Sequence, residues 1–154
     1  NGKLTRELAT KILKTLPIKN KTSTVQLNDL SLSPRIPEEL KVMESRGLAT
    51  YNFIPVGTEG YGCYGELTEE GKKYFVKYFG GNEYIIMITA KIGFGEVTGI
   101  RDTGDNNTAI VEYTEKIIEV TPVGQMYNNG PQLGQTTPAK AYFVKYDDGW
   151  RLSK

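Results

Sequence analysis

Leu4, Leu8, Ile12 and Leu16 recur every four residues, with Ala9 and Leu13 widening the stripe and Lys3, Arg6, Lys11 and Lys14 keeping clear of it. That spacing predicts an amphipathic helix over residues 3–16, stopped by Pro17. Residues 22–27 alternate as a strand does, and 28–34, with Asn, Asp, two Ser and Pro, reads as a loop. A second helix is predicted over 37–46: Pro37 suits the first position, Glu38 and Glu39 complement the positive end of the dipole, and Leu40, Val42 and Met43 form the buried side. Gly47 is placed to close it in the left-handed conformation. Residues 48–56 and 61–67 read as paired strands across a Gly-Thr-Glu-Gly turn. Thr68 is placed to cap a third helix that starts at Glu69 and Glu70, buries Tyr74, Phe75 and Tyr78 or Phe79, and ends at Gly80-Gly81.

Past Gly81 the period changes from helical to strand-like. Tyr84, Ile86, Ile88, Ala90, Ile92 and Phe94 alternate with Ile85, Met87, Thr89, Lys91 and Gly93, which predicts a long strand reaching Arg101, bent or bulged at Gly93 and Gly95. Gly104-Asp105-Asn106-Asn107 is a turn. Ala109, Val111 and Tyr113 share a face, while Ile118 and Val120 have the opposite parity, so a bulge near Lys116 is expected. A further strand is predicted over 139–146, turning at Asp148-Gly149 into Trp150-Arg151-Leu152.

The 154 residues fit one domain or two small ones, and a 38% hydrophobic, 24% charged composition is that of an ordinary globular chain. A net charge of +1 leaves no strong electrostatic footprint for nucleic acid or anionic lipid. The chain contains no histidine and one cysteine. It therefore cannot assemble by itself a zinc site or a Ser-His or Cys-His nucleophile, and no catalytic set, metal site or cofactor is expected. Cys63, in Tyr-Gly-Cys-Tyr-Gly, reads as a small buried apolar residue. No run reaches the ~20 apolar residues of a membrane helix. The sequence starts at Asn1 rather than Met, which reads as a trimmed or mature form and is compatible with an export signal or lipid anchor upstream.

Glu44-Ser45-Arg46-Gly47-Leu48-Ala49-Thr50-Tyr51, followed by Tyr64-Gly65-Glu66-Leu67-Thr68-Glu69-Glu70-Gly71-Lys72-Lys73-Tyr74, resembles winged-helix domains, in which a Gly-Leu step ends a helix, a two-stranded wing follows and Leu-Thr-Glu-x-Gly opens the next helix. The resemblance covers about residues 4–79. The segment from Ala141 through Asp147-Asp148-Gly149-Trp150 to Leu152 is similar to the closing strands of cystatin-like and NTF2-like domains, and the whole chain is similar to small bacterial envelope lipoproteins. Together these give an α+β expectation: a helix-rich, winged-helix-like part with a small hairpin over 1–80, and a curved antiparallel β-meander over 81–154.

Several stretches invite a functional reading. Gly93-Phe94-Gly95-Glu96-Val97-Thr98-Gly99 suggests a nucleotide loop, but its spacing is off by one and no helix follows, so a bent strand is the better reading. Glu112, Glu115 and Glu119 suggest paired carboxylates, yet Glu112 and Glu115 differ by an odd step and face opposite sides of a regular strand. Tyr61, Tyr64, Tyr74 and Tyr78 form either an aromatic patch or a packed seam. Residues 123–138 exceed the ~12–15 at which unstructured connections become uncommon. They carry Met126, Tyr127, Asn128, Asn129 and Gln132, and read either as disorder or as a contact surface for a protein or glycan. Those five are the candidate binding residues. The expectation is a non-catalytic binding or structural module of the bacterial cell envelope. Its rivals are a cytosolic winged-helix regulator that binds DNA, with a C-terminal sensing domain, and a histidine-free enzyme with a carboxylate or tyrosine site in a sheet pocket.

Overall fold

The computed structural model describes residues 2–31, 33–57 and 60–153. Strand makes up 52% of the structure and helix 15%, in three short α-helices, so the helix-rich N-terminal part expected from the sequence is replaced by antiparallel sheet. The chain order is α1 (Arg6–Leu13), β1 (Lys19–Gln26), α2 (Glu38–Ser45), β2 (Ala49–Val56), β3 (Gly60–Leu67), α3 (Glu69–Lys72), β4 (Phe75–Phe79), β5 (Tyr84–Asp102), β6 (Thr108–Val120), a 3-10 turn (Gly124–Met126), β7 (Thr136–Tyr146) and β8 (Gly149–Leu152). The chain forms two compact units that interleave in sequence. The first holds Asn1–Lys19, Ile92–Glu119 and Gln132–Lys154; the second holds Asn20–Lys91 and Val120–Pro131. The boundary expected at residue 80 falls inside the second unit, in the turn between β4 and β5.

In the first unit, the strand order is β5, β6, β7, β8. β6 and β7 pair antiparallel without a shift from Thr108↔Val144 to Lys116↔Thr136, so that ladder contains no bulge near Lys116. Parity runs straight through instead: Ala109, Val111, Tyr113 and Ile117 are buried, and Ile118 is exposed. Asp147 and Asp148 make the β7–β8 turn, with Gly149 at φ 128° opposite Tyr146. α1 is capped by Thr5, whose side chain accepts from Leu8 N, and it buries Ala9 and Leu13. Leu8 and Ile12 are half-buried and Leu16 is exposed, so the inward stripe lies one residue round from the one the four-residue spacing marks. The core gathers Ala9, Leu13, Val97, Val111 and Phe143. Gly95 is required by close approach: a Cβ there would collide with the Thr114 side chain, which itself accepts a hydrogen bond from Glu96 N at 3.0 Å.

In the second unit, β1 and β4 both neighbour β5, and β2 pairs β3 in a separate hairpin from Ala49↔Leu67 to Val56↔Gly60. The expected hairpin turn includes Thr58 and Glu59, which lie outside the described residues. α2 ends as the sequence predicts, with Gly47 at φ 73°. Thr68 caps α3 by accepting from Gly71 N and also donates to Gly47 O at 2.7 Å, tying the end of one helix to the start of the next. α3, however, is a single turn. Residues 75–79 form β4 and not the rest of a helix, because Tyr-Phe-Val-Lys-Tyr-Phe is aromatic and β-branched and β5 offers a partner edge. Only Tyr74 and Phe75 of the expected apolar face pack on the core; Tyr78 and Phe79 are exposed. With α3 reduced to a turn, the winged-helix-like arrangement expected of the N-terminal part does not form. The core here joins Val25, Leu40, Met43, Leu48, Ile85 and Met87.

Asn28 organises this unit. It is 3% exposed, its amide donates to Asn82 O at 2.6 Å, and its side-chain oxygen accepts from Gly65 N at 2.8 Å. Thr89 donates to Lys21 O and Thr121 to Ile88 O. Among the described residues no buried side-chain nitrogen or oxygen lacks a partner. No helix among them is long and apolar enough to cross a membrane.

Candidate functional site

Of the five residues singled out by sequence, two are drawn into packing. The stretch 123–138 is not a plain loop: β7 begins at Thr136, and the remainder is built of hydrogen-bonded turns. Thr121 opens it, its hydroxyl accepting from Gly124 N, and Val123 is fully buried. Met126 packs on the core of the second unit. The Tyr127 phenol donates to the Glu39 carboxylate in the first turn of α2. Burial, and then that carboxylate, push the Tyr127 pKa far above its ordinary 10.0. Asn128 and Asn129 are exposed beside it. Gln132 is also exposed, but it belongs to the first unit, where Gly134 N and Gln135 O are tied to Ile117 of β6. Met126, Tyr127, Asn128 and Asn129 thus belong to the second unit and Gln132 to the first.

The other candidates resolve into structural roles. Glu115 shares the parity of Tyr113 and pairs with Lys19 at 2.5 Å, while Glu112 pairs with Arg101 at 3.3 Å. They stand on opposite sides of β6, each with its own cation. Cys63 is fully buried, and burial together with the Asp29 carboxylate raises its thiol pKa. Among the described residues no three His, Cys, Asp or Glu side chains gather as a metal site would need.

A cavity of about 460 Å³ lies instead in the first unit, where β5 turns into β6 beside the β7–β8 hairpin. The turn is fixed by its own side chains. Asp102 accepts from Gly104 N at 3.1 Å, Asp105 accepts from Asn107 N at 2.9 Å, and Gly104 takes φ 85°, which glycine adopts without strain. Lys145 N then donates to Asn107 O at 2.8 Å, holding β7 to the turn. Lys145 and Trp150 are direct partners across the hairpin, two residues beyond the Phe143↔Leu152 pair, so they share the face on which Phe143 is buried. The core therefore runs out into the cavity through Leu4, Ile100 and Trp150, and its rim carries Lys3, Lys145, Asp102 and Asp105. Among the described residues none of these four charges joins another within 4.0 Å.

Sequence reasoning passes over this place. Its signals are the lone tryptophan opposite a lysine on a core-facing strand position, and two aspartates in one turn. Both are common features, and only the fold brings them together with Leu4. No protein family, curated protein or solved structure matches the chain.

Proposed function

We propose that this chain is a non-catalytic binding module that takes a small ligand in the cavity bounded by the β5–β6 turn and the β7–β8 hairpin. The observation that carries this reading is the lining: an apolar floor that includes Trp150, with charged groups of both signs at the rim and no ion pair among them. Its volume of about 460 Å³ falls within the ~300–1,000 Å³ of small-molecule pockets. The absence of histidine from the sequence, the separate ion pairs of Glu112 and Glu115, and a Tyr127 that holds its proton support binding over acid–base chemistry.

Trp150 is the sole tryptophan of the sequence, so its emission reports on the cavity directly. Titrating the full chain with amino acids, dipeptides, disaccharides and nucleotides is expected to give a saturable change with one class. A flat response to all four would remove the reading. We further propose a location in the bacterial cell envelope, an expectation from the sequence alone that no comparison with known proteins supports. Intact mass and N-terminal sequencing of the native protein test this: a processed or lipidated terminus is expected, and an unprocessed cytosolic form overturns it.

A further inference from the structure

The charges at the cavity rim point to the kind of ligand. Asp102 and Asp105 each give one carboxylate oxygen to a turn N–H, and the second oxygen of each accepts no hydrogen bond among the described residues. Lys145 is half-buried on the core-facing side of β7, and its Nζ lies 3.2 Å from the point where a Cβ on Gly2 would stand. Lys3 is exposed beside it in sequence. Two carboxylates and two ammonium groups thus line one cavity without pairing, together with the apolar Leu4, Ile100 and Trp150. Opposite charges that line one cavity without pairing are complementary to a ligand that itself carries both signs.

Resting on the reading of this cavity as the binding site, we propose that it recognises a short peptide with both termini free and an apolar side chain. The peptide ammonium meets Asp102 and Asp105, its carboxylate meets Lys145 and Lys3, and its side chain lies against Trp150. Each end of the peptide meets two opposite charges, each pair contributing up to about fivefold in affinity (~1 kcal/mol), so loss of either end forfeits two pairs and recognition requires both ends together. A neutral saccharide would use the same indole and could hydrogen-bond the carboxylates, but it would gain no ion pairing from charges of both signs.

The test is calorimetry, with Trp150 emission in parallel, on the full chain with leucyl-leucine, N-acetyl-leucyl-leucine, leucyl-leucine amide and a chitin disaccharide. Leucyl-leucine is expected to saturate the site, and capping either end is expected to weaken binding at least tenfold. Asp102→Asn and Asp105→Asn keep the oxygen that the turn N–H groups use, so the turn survives. Combined, they are expected to weaken leucyl-leucine at least tenfold with an unchanged circular dichroism spectrum, and Lys145→Met is expected to act likewise. Equal binding of free and capped peptides, or binding of the disaccharide alone, overturns this inference and leaves the cavity as a ligand site. No response to any of the four overturns the peptide inference, and the wider titration above then decides whether the cavity binds anything at all.

Discussion

Tyr127 is a side chain whose chemistry the fold alters through burial and a carboxylate partner. Its hydrogen bond to Glu39 spans 88 positions in sequence, so no local pattern could have announced it. Removing the hydroxyl in Tyr127→Phe leaves a half-buried carboxylate short of a donor, and the expected loss is about 1–2 kcal/mol by urea denaturation. The pH dependence follows from the raised pKa. The unfolded phenol ionises near 10.0 while the folded one, buried and facing Glu39, keeps its proton well above that. The stabilisation is therefore complete below pH 10 and is lost as pH rises beyond it, and Tyr127→Phe should flatten that alkaline decline. Cys63 gives a second expectation at this scale. The thiolate is the reactive form, and here the thiol is buried and its pKa raised. Labelling with a thiol reagent at neutral pH should wait on unfolding; reaction at the rate of a free thiol in the native protein would contradict the burial.

At the scale of elements, what the sequence announces are the ends rather than the extents. Thr68 capping α3 and Gly47 closing α2 are local signals and both occur as read, whereas Gly80 and Gly81, read as the end of a helix, turn β4 into β5. The length of α3 is not local. Residues 75–79 satisfy a helical stripe as well as a strand, and the choice falls to β5, whose edge from Tyr84 to Met87 pairs with them. The cavity is less legible still, because Leu4, Asp102 and Trp150 are brought together only by the order of β5, β6, β7 and β8. Asn28 shows how a polar residue in an expected loop becomes an internal joint. Asn28→Ala strands Gly65 N and Asn82 O, each worth ~1–3 kcal/mol when buried without a partner. A loss of about 2–4 kcal/mol by chemical denaturation is expected, and a loss under 1 kcal/mol would mean that water replaces the side chain. The β2–β3 hairpin behaves differently. Phe53 and Ile54 are 47% and 46% exposed, so Phe53→Ser with Ile54→Thr should change stability by less than ~1 kcal/mol while reducing hydrophobic dye binding.

At the scale of the whole molecule, two hydrophobic clusters with no member in common serve the two units. Phe143→Ala in one is expected to cost ~3–5 kcal/mol, and Met43→Ala in the other ~2–5 kcal/mol. The double variant should equal their sum within ~0.5 kcal/mol, and a larger departure in urea or thermal unfolding would show that the cores are energetically linked. The interleaving of the units also gives the chain a schedule of assembly. The second unit has its last segment once Pro131 is made, whereas α1 finds Phe143 only after β7. At ~5–20 residues per second the interval from α1 to Phe143 is on the order of ten seconds, and until it ends the stripe of Leu8, Ala9, Ile12 and Leu13 lacks the β7 share of its core. Ribosomes stalled just past Pro131 should therefore carry a holdase chaperone on α1, and release it once Phe143 has left the exit tunnel.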